Sequence, residues 1–168
     1  MVYYFAYGSN MSRSRLRHRL PSARSVGIAR LTEHQLRFHK VGHCDGSAKC
    51  DAYLTGDSGH QVIGVLYQIS LEEKPCLDEV EGVGDGYEEK RVAVETDEGD
   101  IIEVFTYHAT LINPDIKPYD WYRQHVLIGA REHDLPETYI DEILRIPTID
   151  DPDTARQARE LAIYSRAK

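Results

Sequence analysis

No stretch of this sequence approaches the roughly 20 consecutive apolar residues that a membrane-spanning helix needs, which excludes a chain that crosses a bilayer on helices. Cysteine is scarce. Cys44, Cys50 and Cys76 are few and odd in number, which argues against a disulfide framework and fits a reducing compartment. The opening residues Met1 to Tyr7 have neither the basic segment nor the long apolar stretch of a secretory leader, so the expected address is cytoplasmic. Basic charge is also in deficit: 28 acidic against 20 basic side chains leave a formal net charge of -8. Such a balance disfavours a phosphate backbone or an anionic bilayer, so neither nucleic acid nor membrane is an expected partner. No internal repeat, low-complexity tract or linker divides the chain.

What remains is 168 residues, 41% hydrophobic and 29% charged, the size and balance of one globular domain with its own core. Charge is uneven along it. Residues 1 to 49 hold nine Lys or Arg against Glu33 and Asp45, whereas residues 70 to 103 hold thirteen Asp or Glu against Lys74, Lys90 and Arg91.

Val2 to Ala6 is β-branched and aromatic and stops at Gly8-Ser9-Asn10, which predicts a buried strand followed by a turn. Ser12 is a helix cap ahead of Leu16 and Leu20, spaced i, i+4 beneath a coat of arginines, with Pro21 as the stop. Short apolar runs at Val26 to Leu31, Leu36 to Val41, Ala52 to Leu54 and Val62 to Ile69 read as strands of a mixed sheet or small barrel. Ser70 and Glu73 form a capping box in sequence, and Leu77 and Val80 give the ensuing helix an apolar side before Gly82 ends it. Tyr87 to Val94 and Ile101 to Tyr107 predict a hairpin turning at Glu98-Gly99. Tyr119 to Arg131, Glu137 to Ile146 and Thr154 to Arg166 follow as helices. Strands before helices make the fold class α+β.

Several residue groups invite chemistry. Gly82-Val83-Gly84-Asp85-Gly86 has the wrong glycine spacing for a dinucleotide loop and follows a helix instead of a strand, so it reads as a connection. His39, His43, Cys44 and Cys50 match no zinc spacing, and no metal is expected. Ser9 lacks the elbow sequence of a hydrolase nucleophile and reads as a binding or capping hydroxyl. Successive backbone N–H groups at Gly8-Ser9-Asn10, between strand and helix, form either an ordinary turn or an anion-binding nest. Glu81, at the negative end of a helix and beside a glycine-rich segment, is either one more surface acid or a group placed to exchange protons.

Tyr4-Phe5-Ala6-Tyr7-Gly8-Ser9-Asn10, followed about seventy residues later by Leu77-Asp78-Glu79-Val80-Glu81-Gly82-Val83, resembles the gamma-glutamylcyclotransferase family. The resemblance extends through Gly129-Ala130-Arg131-Glu132 and Leu135-Pro136. It implies a small mixed or antiparallel β-barrel surrounded by helices, one such domain over residues 1–168, with a helical C-terminal extension from about 147. It further implies an enzyme that releases 5-oxoproline from a small gamma-glutamyl compound, as a monomer or homodimer, without a cofactor. By the same resemblance Glu81 is the catalytic carboxylate. The substrate-binding residues are Tyr4, Phe5, Ala6, Tyr7, Gly8 and Ser9, with Tyr122 beyond them and Tyr87 and Tyr107 as further walls. A gamma-glutamyl amino acid or gamma-glutamyl amine is the implied substrate, and a non-catalytic module binding such a ligand on the same fold is the alternative.

Overall fold

The computed structural model describes residues 1–165. Five strands close into a barrel: β1 (Val2–Ala6), β2 (Arg24–Thr32), β5 (Gln61–Ile69), β6 (Tyr87–Thr96) and β7 (Ile101–Ala109), in the order β1-β5-β2-β6-β7. All neighbours are antiparallel except β1 and β7, which meet in parallel at Tyr4 and Phe105 and complete the closure. A closed barrel leaves no sheet edge exposed, which suits so short a set of strands. Its interior takes Phe5, Val62 and Val94, while Val65 and Ile69, on the opposite face of β5, are buried outside the barrel wall. The remaining strands, β3 (His34–Val41) and β4 (Ala48–Leu54), form a separate hairpin beside β7, tied to it where the Ala109 amide donates to Asp51 Oδ1 at 2.8 Å. Among the described residues no helix is long and apolar enough to cross a membrane.

Helix α1 (Arg13–Arg19) starts at the expected cap, the Arg15 amide donating to Ser12 Oγ, and it buries Leu16 completely. Helix α2 (Lys74–Glu81) corrects the sequence reading at its start. Glu73 occupies the cap position without a side-chain cap bond, and its carboxylate instead accepts from the Ser22 amide and hydroxyl, so the capping box with Ser70 does not form. A tertiary partner has displaced the local one. Leu77 is buried as expected, but Val80 faces solvent. Gly82 ends α2 in the left-handed region at φ 71°, a conformation that glycine adopts without cost.

Helices α3 (Asp120–Glu132), α4 (Glu137–Leu144) and α5 (Thr154–Ser165) follow the hairpin, the last agreeing with expectation as far as Ser165; Arg166 lies outside the described residues. Helix α3 lies directly on the 3-10 turn Ser9–Met11, and the approach depends on Gly129. A Cβ there would stand 2.5 Å from both the carbonyl carbon and the Cβ of Met11. Gly129→Ala is therefore expected to push the turn off α3 and to destabilise the protein by about 1–3 kcal/mol. A melting temperature lowered by roughly 2–4 °C per kcal/mol in thermal denaturation checks it.

Candidate active site

Strand β1 ends at Ala6 because its partner β5 stops pairing there, and the chain turns through Tyr7-Gly8-Ser9-Asn10 over one end of the barrel. Helix α2 brings Glu81 to the same place. Asn10 Nδ2 donates to Glu81 Oε1 at 2.9 Å and to Tyr4 Oη at 3.1 Å. Arg19 Nη1 donates to the same Glu81 oxygen at 2.9 Å and to Asn10 Oδ1 at 2.7 Å. Glu81 is thus held at one oxygen by a guanidinium and an amide, while its Oε2 accepts no protein hydrogen bond among the described residues. The carboxylate at the helix end has a fixed counter-ion.

A small cavity opens over this carboxylate, floored by Gly8, Ser9 and Asn10 and walled by Tyr4, Tyr7, Tyr87, Tyr107 and Tyr122. Five phenols in one place need partners, and each is hydrogen-bonded. Tyr7 Oη donates to the Tyr107 carbonyl at 2.6 Å, Tyr107 Oη to Asp78 Oδ1 at 2.6 Å, and Tyr87 Oη to the Cys50 carbonyl; Tyr122 Oη accepts from the Cys50 amide at 3.0 Å. Burial pushes the phenols of Tyr4, Tyr7, Tyr87 and Tyr122 well above their ordinary pKa, so they remain neutral near pH 7 and act as walls and hydrogen-bond partners. The same burial raises the Cys50 thiol and makes it inert. The amides of Gly8, Ser9 and Asn10 have no protein acceptor among the described residues, as a nest for an anion requires.

Of the residues singled out in the sequence, Tyr4, Tyr7, Gly8, Ser9, Glu81 and Tyr122 meet at this cavity, joined by Tyr87 and Tyr107. Phe5 and Ala6 do not line it. Strand alternation turns Phe5 away from Tyr4 into the barrel against Gly64, and the Ala6 methyl is fully buried, so both support the loop from behind. The possible metal ligands are not gathered: His39 pairs with Asp51 at 2.8 Å, His43 with Asp85 at 2.9 Å, and among the described residues no His, Cys, Asp and Glu group fit to hold a metal occurs. Asn10 and Arg19 were not singled out as site residues. Arg15 and Arg19 stand at i, i+4 on α1 while Leu16 and Leu20 take the core side, so helical spacing held the signal that these two arginines share a face.

Beyond Glu81 the cavity adjoins a wider cleft of about 390 Å³, which shares Ser9, Glu81, Tyr87 and Tyr122 with it. Helix α5 forms part of the cleft wall. Arg15 Nη1 donates to Glu160 Oε2 at 2.7 Å and meets His125 Nε2 at 3.0 Å, while His125 Nδ1 meets Tyr164 Oη at 2.6 Å. His125 is completely buried, and burial together with Arg15 pushes its pKa down to about 4 despite Glu160. An unfolded chain takes up that proton near pH 6.5 and the native one only near 4, so stability falls as pH drops through this window. The expected loss is roughly 3 kcal/mol at most. It appears as a lower melting temperature at pH 5 than at pH 7, a difference that His125→Gln reduces.

The fold and the site together define a class: an α+β barrel with a small polar cavity at one end, built by a β1 loop over a guanidinium-held carboxylate. Residues 61–143 match the model of the AIG2-like family. The chain is 33% identical to the gamma-glutamylcyclotransferase of Homo sapiens over 149 residues, covering 85% of this chain and 77% of that protein. It is also 33% identical to that of Bos taurus over 142 residues, 81% of this chain and 73% of that one. A solved structure of a gamma-glutamyl cyclotransferase, 28% identical, superposes with a TM-score of 0.87 over 98% of both chains. The chain belongs to the gamma-glutamylcyclotransferase family and is an enzyme of that class.

Proposed function

We propose that this enzyme converts a small gamma-glutamyl compound to 5-oxoproline and a free amine, with Glu81 as proton shuttle and no cofactor. The observation that carries the reading is the Glu81 carboxylate on the cavity wall, anchored at Oε1 by Arg19 and Asn10 while Oε2 accepts no hydrogen bond among the described residues. The substrate's own α-amine attacks its γ-carbonyl carbon, so ring closure brings nucleophile and electrophile together without an enzyme nucleophile. That amine is mostly protonated near neutral pH. Glu81 takes the proton, the new C–N bond forms as the old amide C–N bond breaks, and the proton passes to the departing amine. The amides of Gly8, Ser9 and Asn10 supply donors for the α-carboxylate or for the oxyanion at the γ-carbonyl, and Tyr4, Tyr7 and Tyr122 bound the glutamyl half. Residues 1–168 act as one domain in this reading, α5 completing the cleft through Arg156 and Glu160.

The test is incubation of the purified protein with gamma-glutamyl dipeptides, gamma-glutamyl amines and glutathione, followed by mass spectrometry for 5-oxoproline. Formation of 5-oxoproline with release of the cognate amine supports the reaction. Binding of these compounds without product overturns it in favour of a ligand-binding role.

A further inference from the structure

Among the described residues the cleft outside Glu81 has five Lys or Arg side chains on its wall, and four of them are already paired. Arg15 meets Glu160 at 2.7 Å, Arg19 meets Glu81 at 2.9 Å, Lys49 meets Asp45 at 2.8 Å, and Arg156 meets Asp151 at 2.5 Å. Lys40 differs. Among the described residues no carboxylate lies within 4.0 Å of its ammonium, and it makes no protein hydrogen bond with an acceptor, yet the residue is only 4% exposed. Its stem is buried but Nζ keeps contact with solvent, so the side chain presents an unpaired cation to the cleft, where an anionic group can meet it.

The surrounding structure fixes where that ammonium sits. Strands β3 and β4 shift register between Phe38 and Lys40, a bulge of the kind that re-aims a side chain, and His39 beside it is locked to Asp51 at 2.8 Å. From there the Lys40 stem crosses Gly86, where a Cβ would stand 2.9 Å from Lys40 Cε, and its Nζ rests 4.5 Å from the centre of the Tyr87 ring. Gly86 therefore makes room for the stem, and Tyr87 gives the ammonium a π face. Tyr87 also walls the cavity over Glu81, so the cation borders both compartments. Burial lowers the pKa of Lys40 while Glu81, Asp85 and Asp45 oppose that shift, which places the ammonium in the field of Glu81.

We propose that Lys40 binds a carboxylate on the departing half of the substrate and is thereby the specificity residue that makes gamma-glutamyl amino acids preferred over gamma-glutamyl amines. The proposal rests on the reaction proposed above: the glutamyl half occupies the cavity at Glu81, so the departing amine projects into the cleft that Lys40 borders. An incoming carboxylate supplies the partner that the protein withholds, and a charge-assisted hydrogen bond of this kind discriminates strongly against a ligand without it.

The experiment compares gamma-glutamyl-alanine with gamma-glutamyl-ethylamide, which differ only in that carboxylate, as substrates of the wild type and of Lys40→Met. Wild-type kcat/KM is expected to favour the dipeptide, and Lys40→Met to lower the ratio of the two values by about 10-fold or more. Lys40→Arg, which keeps the charge, is expected to retain most of the preference. An equal ratio in wild type and Lys40→Met overturns the proposal. If wild type turns over neither compound, the reaction fails, and Lys40 is judged by the ratio of calorimetric affinities for the same two compounds. That ratio must fall in Lys40→Met, and an unchanged ratio or no binding overturns the role. Lys40→Gln, a smaller change in polarity, replaces Lys40→Met if the latter does not fold.

Discussion

Glu81→Gln is expected to lower kcat for 5-oxoproline formation by ~10² or more while leaving the melting temperature within a few degrees of the wild type. The substitution is nearly isosteric, and the site itself decides how the new amide sits. Arg19 Nη1 and Asn10 Nδ2 both donate to Oε1, so the glutamine carbonyl takes that position and the NH2 group falls where Oε2 stood. Shape and network survive, but the group facing the cavity no longer accepts a proton. Because the substrate amine is protonated near neutral pH, losing the acceptor removes the first step of ring closure as well as the return of a proton to the departing amine. KM is expected to change far less than kcat, since the glutamyl half still meets the Gly8–Asn10 loop and the tyrosine walls. Activity within a few-fold of wild type would falsify the role of Glu81 and return the site to ligand binding.

Arg19→Met is expected to reduce kcat by roughly 10- to 100-fold, the size of effect that follows from losing a charge-assisted hydrogen bond at a reacting group. Arg19 is a positioning residue, acting through Glu81 and Asn10. Without it Asn10 Oδ1 loses its donor, so the amide is free to turn and the second anchor of Glu81 goes with the first. The pair is only partly open to solvent, with side-chain exposures of 18% and 16%, so water replaces the guanidinium poorly. Arg19 serves both oxygens from Nη1 alone, so Arg19→Lys keeps the charge and a donor but on a shorter stem without the planar guanidinium, and should recover part of kcat. Equal losses in the methionine and lysine variants, with a matching fall in melting temperature, would show that Arg19 serves only the fold.

Both substitutions concern groups that the sequence displayed unequally. Glu81 was legible because its surroundings are local: a helix pattern ending at Gly82, and a motif shared with a family over adjacent residues. The loop Tyr7-Gly8-Ser9-Asn10 was legible for the same reason, as the end of a strand marked by residues that favour turns. Strand and helix identities followed from periodicity and breakers, the barrel class from short apolar runs between turns, and the hairpin of β6 and β7 from Glu98-Gly99. Capping at Glu73 was misread because Ser22, far away in sequence, offered its carboxylate a better pair of donors than Ser70.

By itself, then, the sequence determined what depends on neighbours along the chain: element types, their ends, the α+β class, and the two segments that carry the family resemblance. Tertiary structure alone decided which side chains meet. Arg19 reaches Glu81 across 62 residues and Asn10 across 71. Phe5 faces away from the cavity, and Gly129 lets α3 press on Met11. Among the described residues Lys40 stays unpaired while Arg15, Arg19, Lys49 and Arg156 of its cleft find carboxylates. Pairing of this kind has no period and no local signature, because closing the barrel, and not spacing in the chain, sets the distances over which charges and hydrogen bonds act.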